Sequence, residues 1–253
     1  MTMVLMTALG VGLATVFGAV LGFIIKNPSH RLNDIILAFA AGVMLAAAVF
    51  GLIAESIDLG GKNGLFITVL GIFAGAVCMI LVDKLLPHLH NLSGSEQEDH
   101  PKKNANMNKI LLFVIAIAIH NLPEGLAAGV GFGTGNTGQA LSIAGGIALQ
   151  NIPEGMVIIA PMLGVGIKKR KAFIIALFTG LIEVVGTLIG YIGVHFSEAI
   201  LPFALAFAGG TMLYATSDEI IPETHSHGNE RAATFSLLVG FCVMLLFDTL
   251  VGA

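Results

Sequence analysis

Two related stretches, IAIAIHNLPEGLAAGV at 115–130 and GIALQNIPEGMVIIAP at 146–161, decide how this chain is read. Each is an apolar run interrupted by a His or Gln, an Asn, a Pro and a Glu. The background explains why that is unusual. Of 253 residues, 56% are hydrophobic and only 11% are charged, and the mean hydropathy is +0.91. Soluble domains carry about 25% charged residues, so the solvent for most of this chain is lipid. Its 32 glycines and absence of Trp suit closely packed membrane helices, where small residues let backbones approach. The fold class expected is an all-α integral membrane protein.

A spanning helix needs roughly 20 mostly apolar residues. Runs of that kind fall at about 3–25, 33–55, 64–86, 109–131, 138–163, 172–194, 199–221 and 233–252. Eight transmembrane helices are therefore expected, forming one domain over 1–253. The longest polar interval is the His-containing loop 87–108, PHLHNLSGSEQEDHPKKNANMN, whose composition reads as a mobile connection. The first run has no basic residue before it and Lys26 after it, the reverse of a cleaved signal, so it reads as a retained helix. With both termini outside, 11 of the 12 basic residues fall on the cytoplasmic side and only Lys62 outside. That asymmetry is the positive-inside pattern. Cys78 and Cys242 stand singly in apolar runs and read as small buried residues rather than a thiolate site.

Ionisable groups inside a bilayer are expensive and usually functional. Glu124, Glu154 and Glu183 each lie toward the middle of a span, too far from water to snorkel at about 1.5 Å per residue. Three carboxylates near one depth need a cation or protons to neutralise them, and no span supplies a Lys or Arg at that depth. His120 and Glu124 are spaced i, i+4 on one helix face, and Gln150 and Glu154 repeat the relation. The two helices run in opposite directions, so the motif meets itself near the midplane, together with Asn121 and Asn151. Pro123 and Pro153 cannot donate to the carbonyls of Ile119 and Leu149, which predicts a kink and an available oxygen in each helix. Carboxylate, imidazole and amide oxygen together suit a borderline divalent ion such as Zn²⁺, Fe²⁺, Mn²⁺ or Cd²⁺.

Two other functional classes are open to such a site. An intramembrane zinc peptidase would need H-E-x-x-H, but Asn follows His120 and no His stands four residues on. A metal-gated channel or sensor would line its pore with the same ligands as a carrier. No G-x-x-x-x-G-K-[ST] loop is present for ATP, so transport would draw on the metal gradient, the membrane potential or coupled ions.

At these residues the sequence resembles the ZIP (Zrt/Irt-like) family of divalent-metal transporters, its GufA-like bacterial branch in particular. The resemblance rests on HNLPEG, on IALQNIPEG, on AFAAGVMLAA in the second run and on AGGTMLYATSDEIIPE in the seventh, and it extends over essentially the whole chain. It implies the ZIP fold of eight helices, extracytoplasmic termini, inverted repeats relating the first three helices to the last three, and a binuclear site between helices four and five. The first ion would be held by Met44, His120, Glu124, Gln150 and Glu154. The second would take Asn121, Asn151 and Glu183, with Glu124 and Glu154 bridging. Asn151 stands where some relatives have Asp, which weakens the second site or makes it auxiliary. Gln150 stands where eukaryotic relatives have His, which softens a preference for zinc.

The same resemblance marks Asp58 and Asp248 as entrance acids and Glu219 and His227 as exit-side ligands. The cytoplasmic polar set also holds Asp34, Asp83, His88, His90, His100, Asp218, Glu223 and His225, and HLH and HSH are short clusters of a kind that bind metal loosely. The expected function is uptake of a divalent transition metal, zinc first, across a bacterial plasma or inner membrane. The partners expected are the transported ions and bilayer lipid, with a homodimer one open arrangement; nothing points to nucleic acid or to an enzyme.

Overall fold

A computed structural model describes residues 1–25, 28–85 and 120–252. The helices are labelled here α1 (Thr2–Ile24), α2 (His30–Leu59), α3 (Gly64–Leu85), α4 (120–131), α5 (Thr137–Gly164, interrupted at Ile158), α6 (Lys169–Phe196), α7 (starting with Leu201–Ala215) and α8 (Glu230–Val251). No strand occurs among the described residues, as expected where lipid offers the backbone no partner and each segment must satisfy its own N–H and C=O groups. Six of these helices are long and apolar enough to cross a membrane: α1, α2, the stretch Gly61–Val82 that contains most of α3, α5, α6 and α8. Most of the fourth expected span and the whole 87–108 loop lie outside the described residues.

Two helices start at capping residues that lie ahead of their apolar runs. Ser29 caps α2 by accepting from the Leu32 N–H at 3.2 Å. Asn136 does the same for α5 at Gln139, just after Gly135 turns the chain with φ of 75°. Two helices are locally underwound into π geometry: Ala47–Ala54 within α2 and Thr216–Ile220 following Leu201–Ala215 in α7. Such segments often mark functional sites. Both begin within four residues of a buried methionine, Met44 and Met212.

Glycine distribution sorts the helices into two groups. In the first, α1, α4, α5 and α6 meet backbone to backbone. A Cβ on Gly12 would stand 2.4 Å from the Gly180 carbonyl oxygen, one on Gly18 2.1 Å from that of Ile152, and one on Gly129 2.1 Å from that of Thr187. In the second, α2 meets α8 and α3 meets α7 likewise: Gly42 against Leu237, Gly240 against Phe39, Gly210 against Ile72. Between the groups, the glycines of α5 meet side-chain tips instead, Gly145 the Phe247 ring and Gly146 the Met244 thioether.

Large apolar side chains cover the outside, such as Leu13 and Phe17 on α1, Phe73 on α3, Phe178 on α6 and Leu246 on α8. Cys78 is half-buried, but Cys242 is exposed on this apolar surface, so the expectation of two buried cysteines holds at most for Cys78. Most enclosed are α2 and α5, each 61% buried over its most apolar stretch against 11% for α8. They carry Met44 and the second motif.

Candidate metal site

Every candidate ligand named for this centre is buried except His120, which is nearly so. Met44, Asn121, Glu124, Gln150, Asn151, Glu154 and Glu183 all lie in the interior. The last residue of each PEG sequence explains how. A Cβ on Gly125 would stand 2.3 Å from the carbonyl oxygen of Glu183, and one on Gly155 would stand 2.1 Å from that of Thr15. These glycines let α4 press on α6 and α5 press on α1, which delivers the preceding Asn and Glu to one centre. Pro153 sits inside a helix that continues through it to Val157, and it deprives the Leu149 carbonyl of its usual donor.

Glu183 is the hub of one side of that centre. Its Oε1 accepts from Thr15 Oγ1 at 2.6 Å and from Asn121 Nδ2 at 2.5 Å, and its Oε2 accepts from Asn151 Nδ2 at 2.5 Å. One carboxylate thereby ties together α1, α4, α5 and α6. The amide nitrogens of both Asn residues face it, with weaker second contacts to the carbonyls of Thr179 and Val11.

On the other side the acceptors are unsatisfied. Asn121 Oδ1, both Glu124 oxygens, Gln150 Oε1 and Nε2, Asn151 Oδ1 and Glu154 Oε1 are buried without a hydrogen bond of good geometry. All seven atoms belong to the two motifs. Stranding a buried polar group costs about 1–3 kcal/mol, so seven would cost on the order of the whole net stability of a typical domain. Glu124 lies within electrostatic range of Glu154 and Glu183 and beside Gln150, and Glu154 lies within range of His120. A cation would answer several of these acceptor oxygens together, and protons on the carboxyls would answer part of them. Among the described residues no three His, Cys, Asp and Glu side chains already stand close enough to enclose an ion; the donors gathered here are mixed, with amides and a thioether beside the carboxylates.

At the end where Arg31, Lys84, Lys168 to Lys171 and Arg231 cluster, here called the lower end, polar contacts lead away from the centre. His120 Nε2 stands 3.2 Å from Glu219 Oε1 in the π segment of α7. Farther on, buried Asp34 accepts from His227 Nδ1 at 3.0 Å and from Asn229 Nδ2 at 2.8 Å, and the His30 ring stacks on His227 at 4.6 Å. The Asp83 side chain, with His88, His90 and His100, lies outside the described residues. His225 is engaged with the Ile221 carbonyl and Thr234. At the opposite, upper end Asp248 accepts from Ser142 at 2.5 Å, whereas Asp58 is exposed. Glu55, one turn before Asp58, accepts from Gln139 Nε2 at 2.7 Å. Sequence reading missed Glu55 because a carboxylate near a helix end looks like any solvated terminus.

A further signal was present and unread. Residues 37–47, LAFAAGVMLAA, and 205–215, LAFAGGTMLYA, agree at eight of eleven positions. The match aligns Met44 with Met212 and Gly42 with Gly210, and both glycines make the same backbone contact with a neighbouring helix.

An all-helical membrane protein that buries unsatisfied carboxylates between apolar helices belongs to the class of proteins that handle cations within the bilayer. The family follows from comparison. Residues 87–248 match the model of the ZIP zinc transporter family, and this chain belongs to that family. It is 36% identical to zinc transporter ZIPB of Bordetella bronchiseptica over 94% of this chain and 78% of that one. To zinc transporter GufA of Myxococcus xanthus it is also 36% identical, over 98% of both. Zinc transporter ZupT of Chlorobaculum parvum is 35% identical over 92% of this chain and 91% of its own. The protein is thus a membrane transporter rather than an enzyme.

Proposed function

We propose that the protein carries divalent transition-metal ions, zinc foremost and iron, manganese and cadmium as further substrates, into the cytoplasm of a bacterial cell through its plasma or inner membrane. The whole chain acts as one domain of eight spans. Both termini are outside and the basic lower end is inside, in keeping with the positive-inside rule. The observation that carries the reading is that, among the described residues, the buried polar atoms without a hydrogen bond of good geometry all lie in HNLPEG and QNIPEG.

The ion is seated by Glu124 and Glu154, with His120, Gln150 and Met44 completing its surroundings. A second ion by Glu183 is auxiliary, since the Asn121 and Asn151 nitrogens already hold that carboxylate and would have to turn their oxygens inward. Asp58 and Asp248 attract the ion outside. Contact between His120 and Glu219 supports transfer toward Glu219, Asp83 and His227 on the cytoplasmic side. Transport proceeds by alternating access about the midplane site.

The test is Zn²⁺ uptake by proteoliposomes containing the purified protein, compared with Glu124→Gln and Glu154→Gln. Each variant removes a charge while keeping the side-chain shape. Uptake should fall by roughly 100-fold or more, as expected when an essential charged ligand is lost, with unchanged protein in the membrane. Wild-type uptake by both variants would refute the assignment.

A further inference from the structure

Beside His120 and Glu124 is a cavity of about 10 Å³, about the room that one water requires. Its lining includes Met44, Met79 and Met212 together with His120, Glu124 and Thr211. The three methionines come from three helices, α2, α3 and α7, and each is only 1% exposed.

We propose that Met79 and Met212 act with Met44 as a three-thioether wall that sets the ion preference of the carboxylate site, favouring softer cations over harder ones. The proposal deepens the transport reading and rests on it. Methionine in an apolar core is ordinarily a flexible filler, and two observations argue against that here. The first is the repeat: Met212 occupies in LAFAGGTMLYA the place of Met44 in LAFAAGVMLAA, and both lead into π segments. Two copies of one sequence thus bring a methionine at the same repeat position to the lining of one small cavity. The second is the neighbouring residues. The mostly apolar lining also includes His120 and Glu124, two residues of the first motif. Thr216 Oγ1 points at the Met44 sulfur at 3.8 Å, a contact that orients a thioether.

Thioether sulfur favours soft and borderline ions, whereas Mn²⁺ and Mg²⁺ favour oxygen. Glu124 and Glu154 supply charge to any divalent ion; the sulfurs add attraction only for the softer members of the series, Cd²⁺ above Zn²⁺ above Mn²⁺. Thr211, where Met44's own repeat has Val43, leaves one more oxygen donor in the same wall.

The experiment measures Cd²⁺, Zn²⁺ and Mn²⁺ uptake by proteoliposomes in pairwise competition, for the wild type, Met79→Leu, Met212→Leu and the double variant. Leucine preserves volume, a change cores tolerate. The Cd²⁺-to-Mn²⁺ ratio should fall about threefold in each single variant and about tenfold in the double, with Mn²⁺ uptake maintained. A ratio unchanged in the double variant would overturn the proposal. A second arm reads binding without transport: Cd K-edge absorption of Cd²⁺-loaded, selenomethionine-labelled protein should show selenium neighbours that diminish in the double variant. An undiminished selenium shell would equally overturn it. Absence of any uptake by the wild type would instead defeat the transport reading, leaving the spectroscopic arm to decide the thioether wall.

Discussion

Glu183 and Glu124 are the same residue type at the same level of two helices in backbone contact, and their surroundings are opposite. Glu183 accepts three hydrogen bonds from three other helices. Both oxygens of Glu124 are buried with none. The arrangement shows a division of labour within one acidic cluster. The satisfied carboxylate joins four helices, and the other is buried without a hydrogen bond of good geometry. The two asparagines are the boundary between them, since each gives its nitrogen to Glu183 and leaves its oxygen on the other side.

The two acids should therefore fail in different ways when removed. Glu183→Ala leaves Thr15, Asn121 and Asn151 without their acceptor. At about 1–3 kcal/mol per stranded group, it should destabilise the protein by roughly 3–5 kcal/mol, seen as a lower midpoint of thermal unfolding in detergent. Glu124→Gln should not lower that midpoint in metal-free buffer, because it removes a charge that the protein does not pair. Equal destabilisation by the two would erase the distinction.

The glycines that bring the two sides together offer a smaller perturbation. Gly125→Ala and Gly155→Ala each place a Cβ within 2.3 Å of a backbone oxygen, an overpacking that should cost about 1–3 kcal/mol. Because the helices must separate to admit the methyl group, zinc affinity measured by calorimetry should weaken as well. Gly10→Ala, where a Cβ meets nothing within 4 Å, is the control and should change neither. Smallest of all is Thr15→Val, which withdraws one of three donors from Glu183. It should cost about 1 kcal/mol in thermal unfolding, with zinc affinity nearly unchanged; a large loss of affinity would move Glu183 to the ion-binding side of the comparison.

Much of this could be read from the chain itself. Run lengths located the spanning helices to within a few residues of where α1, α3 and α8 begin and end. The i, i+4 spacing of His120 with Glu124 and of Gln150 with Glu154 put each pair on a single face. Spacing along a helix says nothing, however, about which neighbour's turn it meets. The pairing of Asn121 and Asn151 with Glu183 therefore emerged only in three dimensions, as did the role of Gly125 and Gly155 in both motifs. The π segments were illegible because nothing in the composition of AAVFGLIA or TSDEI distinguishes them from α-helix. Met212 differed in kind: its match to Met44 lay in plain view as a repeat, and was passed over because methionine in an apolar run ordinarily means core.

The central claim is that a cation belongs to the unpaired side of the cluster. Thermal unfolding of the purified protein with and without Zn²⁺ tests it without requiring transport. A ligand at 100 times its dissociation constant stabilises the folded state by about 2.7 kcal/mol. Wild-type protein should show a zinc-dependent rise in midpoint, and Glu124→Gln/Glu154→Gln should show none, while unfolding at or above the metal-free wild-type temperature. A full zinc response in the double variant would contradict the account.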